Sequence, residues 1–215
     1  MGVKQSIARN LRKPSGSIIG RIIDKKVFRH KNVLLELNAV RLCGLEPHHH
    51  VLEIGFGPGI GLKAALEQIG DGGKVYGVDY SPTMVDEASR SLRAAIDSGK
   101  LELTLADVAS LPYPEASMDR LYHCNCYYFW ADPPAVAREL LRVLRPGGLM
   151  VTTLCLSGLQ QAVDGGFLPN TNWRPQPYME TLQAAGFSRV AMEETVHNTG
   201  DKEVVYQAIL AHKEE

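Results

Sequence analysis

The sequence predicts a doubly wound α/β fold, in which helices cover both faces of a mostly parallel sheet. The main observation is the segment 51–59, where an apolar strand pattern runs directly into a glycine-rich turn and then a helical repeat. Strand patterns follow at residues 74–79 and 101–105, and the segment 82–98 between them has the pattern of a helix. Strands that alternate with helices are typical of such a sheet.

Length and composition limit the class of protein. With 215 residues, 45% of them hydrophobic, the chain is long enough to bury the core of one globular domain. No apolar run approaches the roughly 18 residues of a membrane span, and there is no signal-peptide pattern, so a cytoplasmic location is expected. The four cysteines show no Cys-x-x-Cys spacing, which predicts reduced thiols and no metal site.

Positive charge is concentrated at the N-terminus. Residues 1–31 carry nine Lys or Arg against Asp24 alone, a balance of +8 in a chain whose net charge is -1. Residues 1–32 are therefore expected to form a basic arm, separate from a main domain at residues 33–215. The start at Met1 and Gly2 fits the N-myristoylation pattern, which with the basic residues favours contact with an anionic membrane. A mitochondrial presequence is a further alternative.

Three alternating glycines, Gly55, Gly57 and Gly59, end the first predicted strand. Glycine lets the backbone approach a ligand closely, because it has no Cβ and tolerates positive φ. The helix expected over 58–69 would point its N-terminal amides at the same place, which favours a nucleotide-type site. The spacing does not fit the Gly-x-Gly-x-x-Gly of nicotinamide and flavin sites. Glu53 disfavours a pyrophosphate and suits an ammonium group or a water.

Five motifs, in this order, resemble those of the class I S-adenosylmethionine-dependent methyltransferases. After the glycine segment they lie at residues 75–79, 106–108, 119–125 and 144–148. The resemblance covers residues 30–212 and is nearest to the small members grouped with ubiquinone- and menaquinone-biosynthesis enzymes. It implies a Rossmann-like sheet of seven strands, order 3-2-1-4-5-7-6 with strand seven antiparallel. It also implies S-adenosyl-L-methionine as cofactor, S-adenosyl-L-homocysteine as product, and an N-terminal arm that folds over the cofactor as a lid.

The same resemblance implies a role for individual residues at the strand ends. Asp79 is expected to accept hydrogen bonds from the ribose hydroxyls, and Asn125 to approach the methionine part of the cofactor. Asp107 would accept a bond from the adenine amino group beside the Val108 amide, or alternatively cap its own turn. Met84 is expected near the adenine or, equally, in the core. The cofactor-binding residues expected on this basis are Glu53, Gly55, Gly57, Gly59, Asp79, Tyr80, Met84, Asp107, Val108 and Asn125.

Methyl transfer from a sulfonium is an in-line displacement, so the protein mainly orients the reactants and removes water. A general base is needed only when the acceptor has to lose a proton. The candidates are His123, Tyr127 and Tyr128, although a structural role for His123 is favoured because it lies inside an extended segment. The aromatic run 127–130 is expected to line the acceptor site in part. It suits a flat hydrophobic acceptor, or an amine through cation–π attraction.

Two further segments carry weaker signals. His48, His49 and His50 lie in a turn without neighbouring Cys or carboxylate ligands, so an exposed loop is expected and no metal site. Residues 157–173 contain several glycines and a proline, which predicts an irregular segment that covers the substrate with Phe167, Asn170 and Trp173.

The sequence thus predicts a methyltransferase that acts on a small molecule, because no nucleic-acid-binding module is visible. Two alternatives stay open at this point. One is a methyltransferase-like binding protein with little turnover, and the other is a membrane-associated enzyme that acts on a lipid or quinone. The acceptor, the methylated atom and the oligomeric state are not predicted.

Overall fold

A computed structural model describes residues 29–168, 172–199 and 202–215. Its seven-stranded sheet has the order β3-β2-β1-β4-β5-β7-β6, as the resemblance implied. Strand β7 is antiparallel to both of its neighbours, whereas the pairs among β1 to β5 are parallel. The strands are β1 (His50–Ile54), β2 (Lys74–Asp79), β3 (Leu101–Leu105), β4 (Met118–Cys124), β5 (Leu144–Leu154), β6 (Ser188–Thr199) and β7 (Lys202–His212).

Helices connect the strands, and most lie where the sequence pattern predicts them. They are α1 (Arg29–Cys43), α2 (Ile60–Leu66), α3 (Pro82–Ser91), α4 (Arg93–Asp97), α5 (Pro133–Val143), α6 (Leu156–Asp164) and α7 (Pro175–Ala185), with a 3-10 turn at Tyr127–Phe129. Asp132 caps α5 by accepting a hydrogen bond from the Ala135 amide. Gly186 ends α7 in the left-handed conformation, as its position predicts.

Two sequence predictions about helices are wrong. The single helix predicted over 82–98 is two helices, because Leu92 leaves helical geometry at φ −113. The segment 157–173 was predicted to be irregular, yet it contains α6. Gly158 lies inside this helix and does not break it, whereas Gly165 lies at its C-terminal cap and Gly166 beyond it, where positive φ is common. Phe167 and Trp173 are half-buried near this helix, whereas Asn170 lies outside the described residues.

The central strands are buried on both faces, which is why they have near-continuous apolar patterns. In β1, alternate side chains point to opposite faces. Leu52 packs on one side of the sheet in a cluster with residues of α5 and α7, such as Leu140 and Leu182. Val51 packs on the other side in a cluster with residues of α1 and α2, such as Val40 and Leu62. The sheet is therefore doubly wound.

Helix α1 buries the predicted face only in part. The apolar residues 33, 34, 37, 40 and 42 predict a helical stripe over residues 33–45. Val40 is buried as predicted, but the Leu37 side chain is 46% exposed. Leu35 is buried in its place, together with the polar residues Glu36 and Asn38. Their burial is compensated by hydrogen bonds, since Asn38 accepts one from the Tyr206 hydroxyl and Glu36 accepts one from the Gly61 amide.

The predictions about the N-terminal arm concern residues outside the described part of the chain. The N-myristoylation pattern, the presequence and the lid all fall on residues 1–28, before the first described residue, Arg29. Within the described ranges, no helix combines the length and the hydrophobicity needed to span a bilayer.

The two leucines of α1 provide a matched test of its orientation. We expect Leu35→Ala to lower the free energy of unfolding by about 2–5 kcal/mol, because it leaves a cavity in the core. Leu37→Ala should change it by less than about 0.5 kcal/mol, because this side chain is largely in solvent. Urea unfolding followed by circular dichroism measures both. Equal losses in the two variants would contradict the observed face.

Candidate active site

At the end of β1, the backbone of the glycine turn is left-handed at every second residue, a conformation that favours glycine. Gly55, Gly57 and Gly59 have φ values of +69, +52 and +88, in the left-handed region where other residues are strained. A Cβ on Gly57 would meet no atom within 4 Å, so this residue faces open space. A Cβ on Gly59 would instead lie 3.1 Å from Leu92. Gly57 is thus available to a ligand, while Gly59 serves helix packing.

Asp79, at the end of β2, joins the glycine turn to the start of α3. Its Oδ2 accepts a hydrogen bond of 2.9 Å from the Gly57 amide, and its Oδ1 accepts one of 2.8 Å from the Ser81 amide. Burial raises the pKa of the carboxyl group, and the amides of Ser81, Gly57 and Tyr80 counteract that rise. A carboxylate can accept about four hydrogen bonds. The Asp79 carboxylate therefore braces the turn and keeps capacity for about one ribose hydroxyl.

The first amides of α2 do not face a ligand, contrary to the sequence prediction. The Gly61 amide donates to Glu36 Oε2 over 2.9 Å, and the Leu62 amide donates to Glu53. The Tyr122 hydroxyl also donates to Glu53, over 3.0 Å. Helix N-termini attract phosphates through such free amides. Since two glutamates accept these hydrogen bonds, the turn suits a nucleoside ligand without a pyrophosphate.

The two glutamates form a buried acidic pair, with Glu36 7% exposed and Glu53 2% exposed. Burial raises the pKa of Glu36 to about 8, although the Gly61 amide counteracts this. The pKa of Glu53 lies well above its ordinary value because of burial and, next, the nearby charge of Glu36. Two close buried carboxyl groups do not ionise together readily. The pair therefore retains a proton at neutral pH.

Asn125 follows the last residue of β4 and lies at the same edge of the sheet as the glycine turn. Its φ is +51, and its Nδ2 donates to Asn32 Oδ1 at 3.0 Å. Within the described part of the chain, Asn125 Oδ1 is the buried side-chain oxygen for which no partner is found. A buried acceptor needs a donor. An ammonium group, such as the one on the methionine part of S-adenosylmethionine, supplies that donor chemistry.

The residues expected near the adenine separate into exposed and buried ones. Tyr80 is 57% exposed beside the end of β2, and Asp107 is exposed just beyond β3. Asp107 Oδ1 accepts the Ala109 amide at 2.9 Å, so it does cap its own turn. Val108 is half-buried against the core. Met84 is 4% exposed and packs in the core cluster with α1 and α2.

His123 lies inside the protein and is neutral. Its side chain is fully buried, and its Nε2 lies 2.8 Å from both the Tyr178 hydroxyl and Thr152 Oγ1. Burial lowers its pKa to about 3. The Nδ1 atom lies 3.4 Å from Cys126 Sγ. Such a group fixes α7 to the sheet and does not take up a proton near neutral pH.

The aromatic run after β4 forms a rigid wall. Tyr127 stacks on Tyr178 of α7 with ring centroids 4.4 Å apart, and its hydroxyl donates to the Trp173 carbonyl. Burial raises the pKa of the Tyr127 and Tyr128 hydroxyls, so both stay protonated at neutral pH. A cavity of about 440 Å³ lies beside this wall. It is lined by Tyr127, Tyr128, Trp130, Ala131, Pro133, Pro134, Asn172, Pro177, Tyr178 and Thr181.

The histidine turn before β1 differs from its prediction in two respects. His49 is 5% exposed, so the turn is not wholly exposed, and a carboxylate, Glu46, does lie beside it. The ligand atoms of Glu46, His48 and His49 lie within 4.8 Å of one another. However, His49 Nδ1 accepts a hydrogen bond from the Glu46 amide, which places the ring proton on Nε2. Neither nitrogen of His49 then offers a lone pair to a metal.

The fold and these contacts define a class of protein: a Rossmann-like α/β domain with a nucleoside site at the carboxyl ends of β1, β2 and β4. Comparison with known proteins gives the family. Residues 52–152 match the methyltransferase domain family. This segment, just under half of the chain, spans the five motifs and agrees with the resemblance to class I, S-adenosylmethionine-dependent methyltransferases that they carry.

One curated relative and two solved structures illustrate the similarity, and the two structures share the fold alone. A malonyl-[acyl-carrier protein] O-methyltransferase from Serratia marcescens is 34% identical over 62% of this chain and 55% of its own length. The structure of a SAM-dependent methyltransferase from Aquifex aeolicus has a TM-score of 0.63 at 21% identity and covers 98% of both chains. Phosphoethanolamine N-methyltransferase 2 of Haemonchus contortus, solved with S-adenosyl-L-methionine, has a TM-score of 0.66 at 15% identity, over 91% of this chain and 60% of its own. The chain spans from 33% to 68% of the length of the first curated relatives.

Sequence reasoning missed the residues that support the site from other elements. Glu36 and Asn32 come from α1, and Tyr178 comes from α7, far from any motif. The one available signal was Gly61, just beyond the motif. A Cβ there would lie 2.5 Å from Glu53 Oε1, which requires glycine at this position.

Asp79 provides the direct test of the nucleoside site. We expect Asp79→Ala to weaken binding of S-adenosyl-L-homocysteine by about 1.5–3 kcal/mol, because a charged hydrogen-bond partner and the brace on Gly57 are lost. Titration calorimetry measures the change, with Asp86→Ala on the exposed side of α3 as control. Unchanged affinity in Asp79→Ala would contradict the ribose assignment.

The pKa of His123 predicts a stability profile. Its folded value of about 3 lies below the unfolded value of 6.5, so the stability from the neutral ring is present above about pH 6.5 and is lost as the pH falls toward 3. From about pH 7 to about pH 4, wild type should lose on the order of 3 kcal/mol relative to His123→Gln. Urea unfolding at both pH values checks this, with the exposed His48→Gln as control. If wild type and His123→Gln lose the same stability, the buried neutral ring is ruled out.

Proposed function

We propose that the protein is an S-adenosyl-L-methionine-dependent methyltransferase that transfers a methyl group to an uncharged or hydrophobic small molecule. The observation that carries this proposal is the juxtaposition of a glycine turn braced by Asp79 with the aromatic cavity after β4. Both lie beside Cys126, because Cys126 Cβ is 3.4 Å from a Cβ built on Gly55 and Cys126 accepts a hydrogen bond from Trp130, which lines the cavity.

The chain contributes orientation to this reaction. When bound, the cofactor supplies a methyl group already activated by its sulfonium. Asp79 and the Gly57 backbone would hold the nucleoside, and Asn125 Oδ1 would accept from the ammonium group. Tyr127, Tyr128 and Trp130 would hold the acceptor and exclude water.

No side chain at the aromatic wall is poised as a general base. His123 is buried and neutral, and burial raises the pKa of the Tyr127 and Tyr128 hydroxyls. The acceptor would therefore be nucleophilic without assistance, or would release its proton to water.

The cavity supports the choice of acceptor. Its ten lining residues include no charged side chain. Its polar groups are largely engaged within the protein, since the Tyr178 hydroxyl bonds to Thr152 and Thr181 donates to the Pro177 carbonyl. Among the described residues that line the cavity, an anionic acceptor would find no countercharge, whereas a flat apolar one would bury its surface against the aromatic rings.

As part of the same proposal, the protein works in the cytoplasm, and residues 1–32 form an arm joined to a methyltransferase domain at residues 33–215, with residues 29–32 of the arm already in α1. The +8 balance of residues 1–31 supports a weak contact of this arm with anionic membranes.

Incubation of the protein with methyl-labelled S-adenosylmethionine and a metabolite extract tests the function. We expect label in a neutral, apolar metabolite, identified by mass spectrometry. Ala131→Trp should reduce labelling at least about tenfold while leaving cofactor affinity unchanged, because the new ring fills the cavity from its exposed rim.

Ala184→Trp, on the exposed side of α7, is the matched control and should label like wild type. Label in a charged metabolite, or equal labelling by Ala131→Trp, would contradict the assignment of this cavity. Cofactor binding without label in any metabolite would leave a binding protein as the better description.

A further inference from the structure

The carboxylate pair behind the glycine turn involves a residue that belongs to none of the five motifs. We propose that Glu36 of α1 is a positioning residue for the cofactor site: its carboxylate holds the first turn of α2, and with it the glycine turn, in the receptive conformation. This inference rests on the proposed function, because it takes the glycine turn to be the cofactor site.

The first turn of α2 has no local cap. Gly59 is the N-cap residue, and without a side chain it accepts no hydrogen bond from the helix. The first amides of any helix need acceptors from elsewhere. The Gly61 amide finds Glu36 Oε2 at 2.9 Å in a buried setting. An acceptor from α1 thus replaces the Ser, Thr, Asp or Asn that usually caps a helix.

The carboxyl groups of Glu36 and Glu53 both lie next to Gly61. Its amide donates to Glu36, and a Cβ on it would lie 2.5 and 2.8 Å from the two Glu53 oxygens. Any larger residue at this position would displace the Glu53 carboxylate or the helix. The sequence therefore keeps a helix-weakening glycine inside α2 where it makes room for the pair.

The face of α1 that carries Glu36 also holds the end of β4, at the opposite edge of the site. Asn32 and Glu36 are four residues apart and so lie on one side of the helix. Asn32 Oδ1 accepts from Asn125 at 3.0 Å, while Glu36 accepts from Gly61 at 2.9 Å. One helix face thus fixes the end of β4 relative to the start of α2, and these two points flank the glycine turn.

Stability alone does not account for this arrangement. Among the described residues, the titratable groups that face the pair are Asp79, Tyr122, Cys43, Cys124 and Cys126, and none of these groups supplies a positive charge. A buried acidic pair of this kind is usually less favourable than apolar residues of the same size. Its retention next to the glycine turn is explained by the hydrogen bonds that it accepts from α2.

Three substitutions at Glu36 test the proposal, with binding of S-adenosyl-L-homocysteine measured by calorimetry on the full chain. Glu36→Gln should bind within about threefold of wild type, because its amide oxygen still accepts the Gly61 proton. Glu36→Leu should bind at least about tenfold more weakly, because it leaves the buried Gly61 amide without an acceptor. Glu67→Leu, at the exposed end of α2, is the control and should bind like wild type.

Glu36→Asp keeps the carboxyl group but is one methylene shorter, so it covers the case in which Glu36→Leu does not fold. It should weaken binding at least about fivefold and accelerate hydrogen exchange at the Gly61 amide, and Glu36→Gln should restore both. Wild-type affinity in folded Glu36→Leu or Glu36→Asp would overturn the proposal. So would a loss in Glu36→Gln as large as that in Glu36→Leu.

A pH series tests whether the Glu36 carboxyl group is protonated in the folded protein. The pKa of Glu36 is raised from 4.5 to about 8 on folding, so the stability of its protonated form is complete below about pH 4.5 and is lost as the pH rises through 8. Wild type should therefore lose stability relative to Glu36→Gln from about pH 5 to about pH 8, and parallel profiles would contradict the buried position of the Glu36 carboxyl group on which the proposal rests. Failure of wild type to bind S-adenosyl-L-homocysteine or S-adenosylmethionine would instead refute the proposed function itself.

Discussion

The site depends on how the backbone amides of the glycine turn and of α2 are satisfied. Three carboxylates from three different elements accept these hydrogen bonds. Asp79 of β2 accepts from Gly57, Glu36 of α1 accepts from Gly61, and Glu53 of β1 accepts from Leu62. Because these amides are buried or partly buried, each would cost free energy without its acceptor. The left-handed glycines give the turn its shape, and the carboxylates hold that shape.

This arrangement also selects the ligand. A pyrophosphate needs the free amides of a helix N-terminus, and here glutamates occupy them. The acidic surroundings favour a ligand that carries positive charge and hydrogen-bond donors instead. The buried Asn125 Oδ1, which lacks a partner within the described ranges, fits the same ligand because it can only accept. A sulfonium nucleoside with an ammonium group meets these requirements, and the methyltransferase domain match at residues 52–152 agrees.

The aromatic wall on the other side of the site is rigid and contains few groups that titrate near neutral pH. His123 connects β4 to Tyr178 of α7, and Tyr178 stacks on Tyr127. The aromatic wall is thereby attached to the core of the sheet. A preorganised, uncharged wall suits a reaction whose donor is already activated, because orientation and exclusion of water then provide most of the catalysis. His123, which the sequence offered as a candidate base, therefore has a structural role.

The sequence by itself determined the strand order, the glycine turn, the family and the acid at the end of β2, because each depends on a local pattern or on motifs in register. The bounds of β2 and β3 followed from their strand patterns. The tertiary structure decided which residues support the turn. Helical periodicity placed Leu37 inside and gave no sign that Glu36 and Asn32 reach the site, because their partners, Gly61 and Asn125, are distant in the chain. Likewise, only the packing of α7 against β4 shows that His123 is buried and neutral, since a pKa depends on surroundings that one segment does not specify.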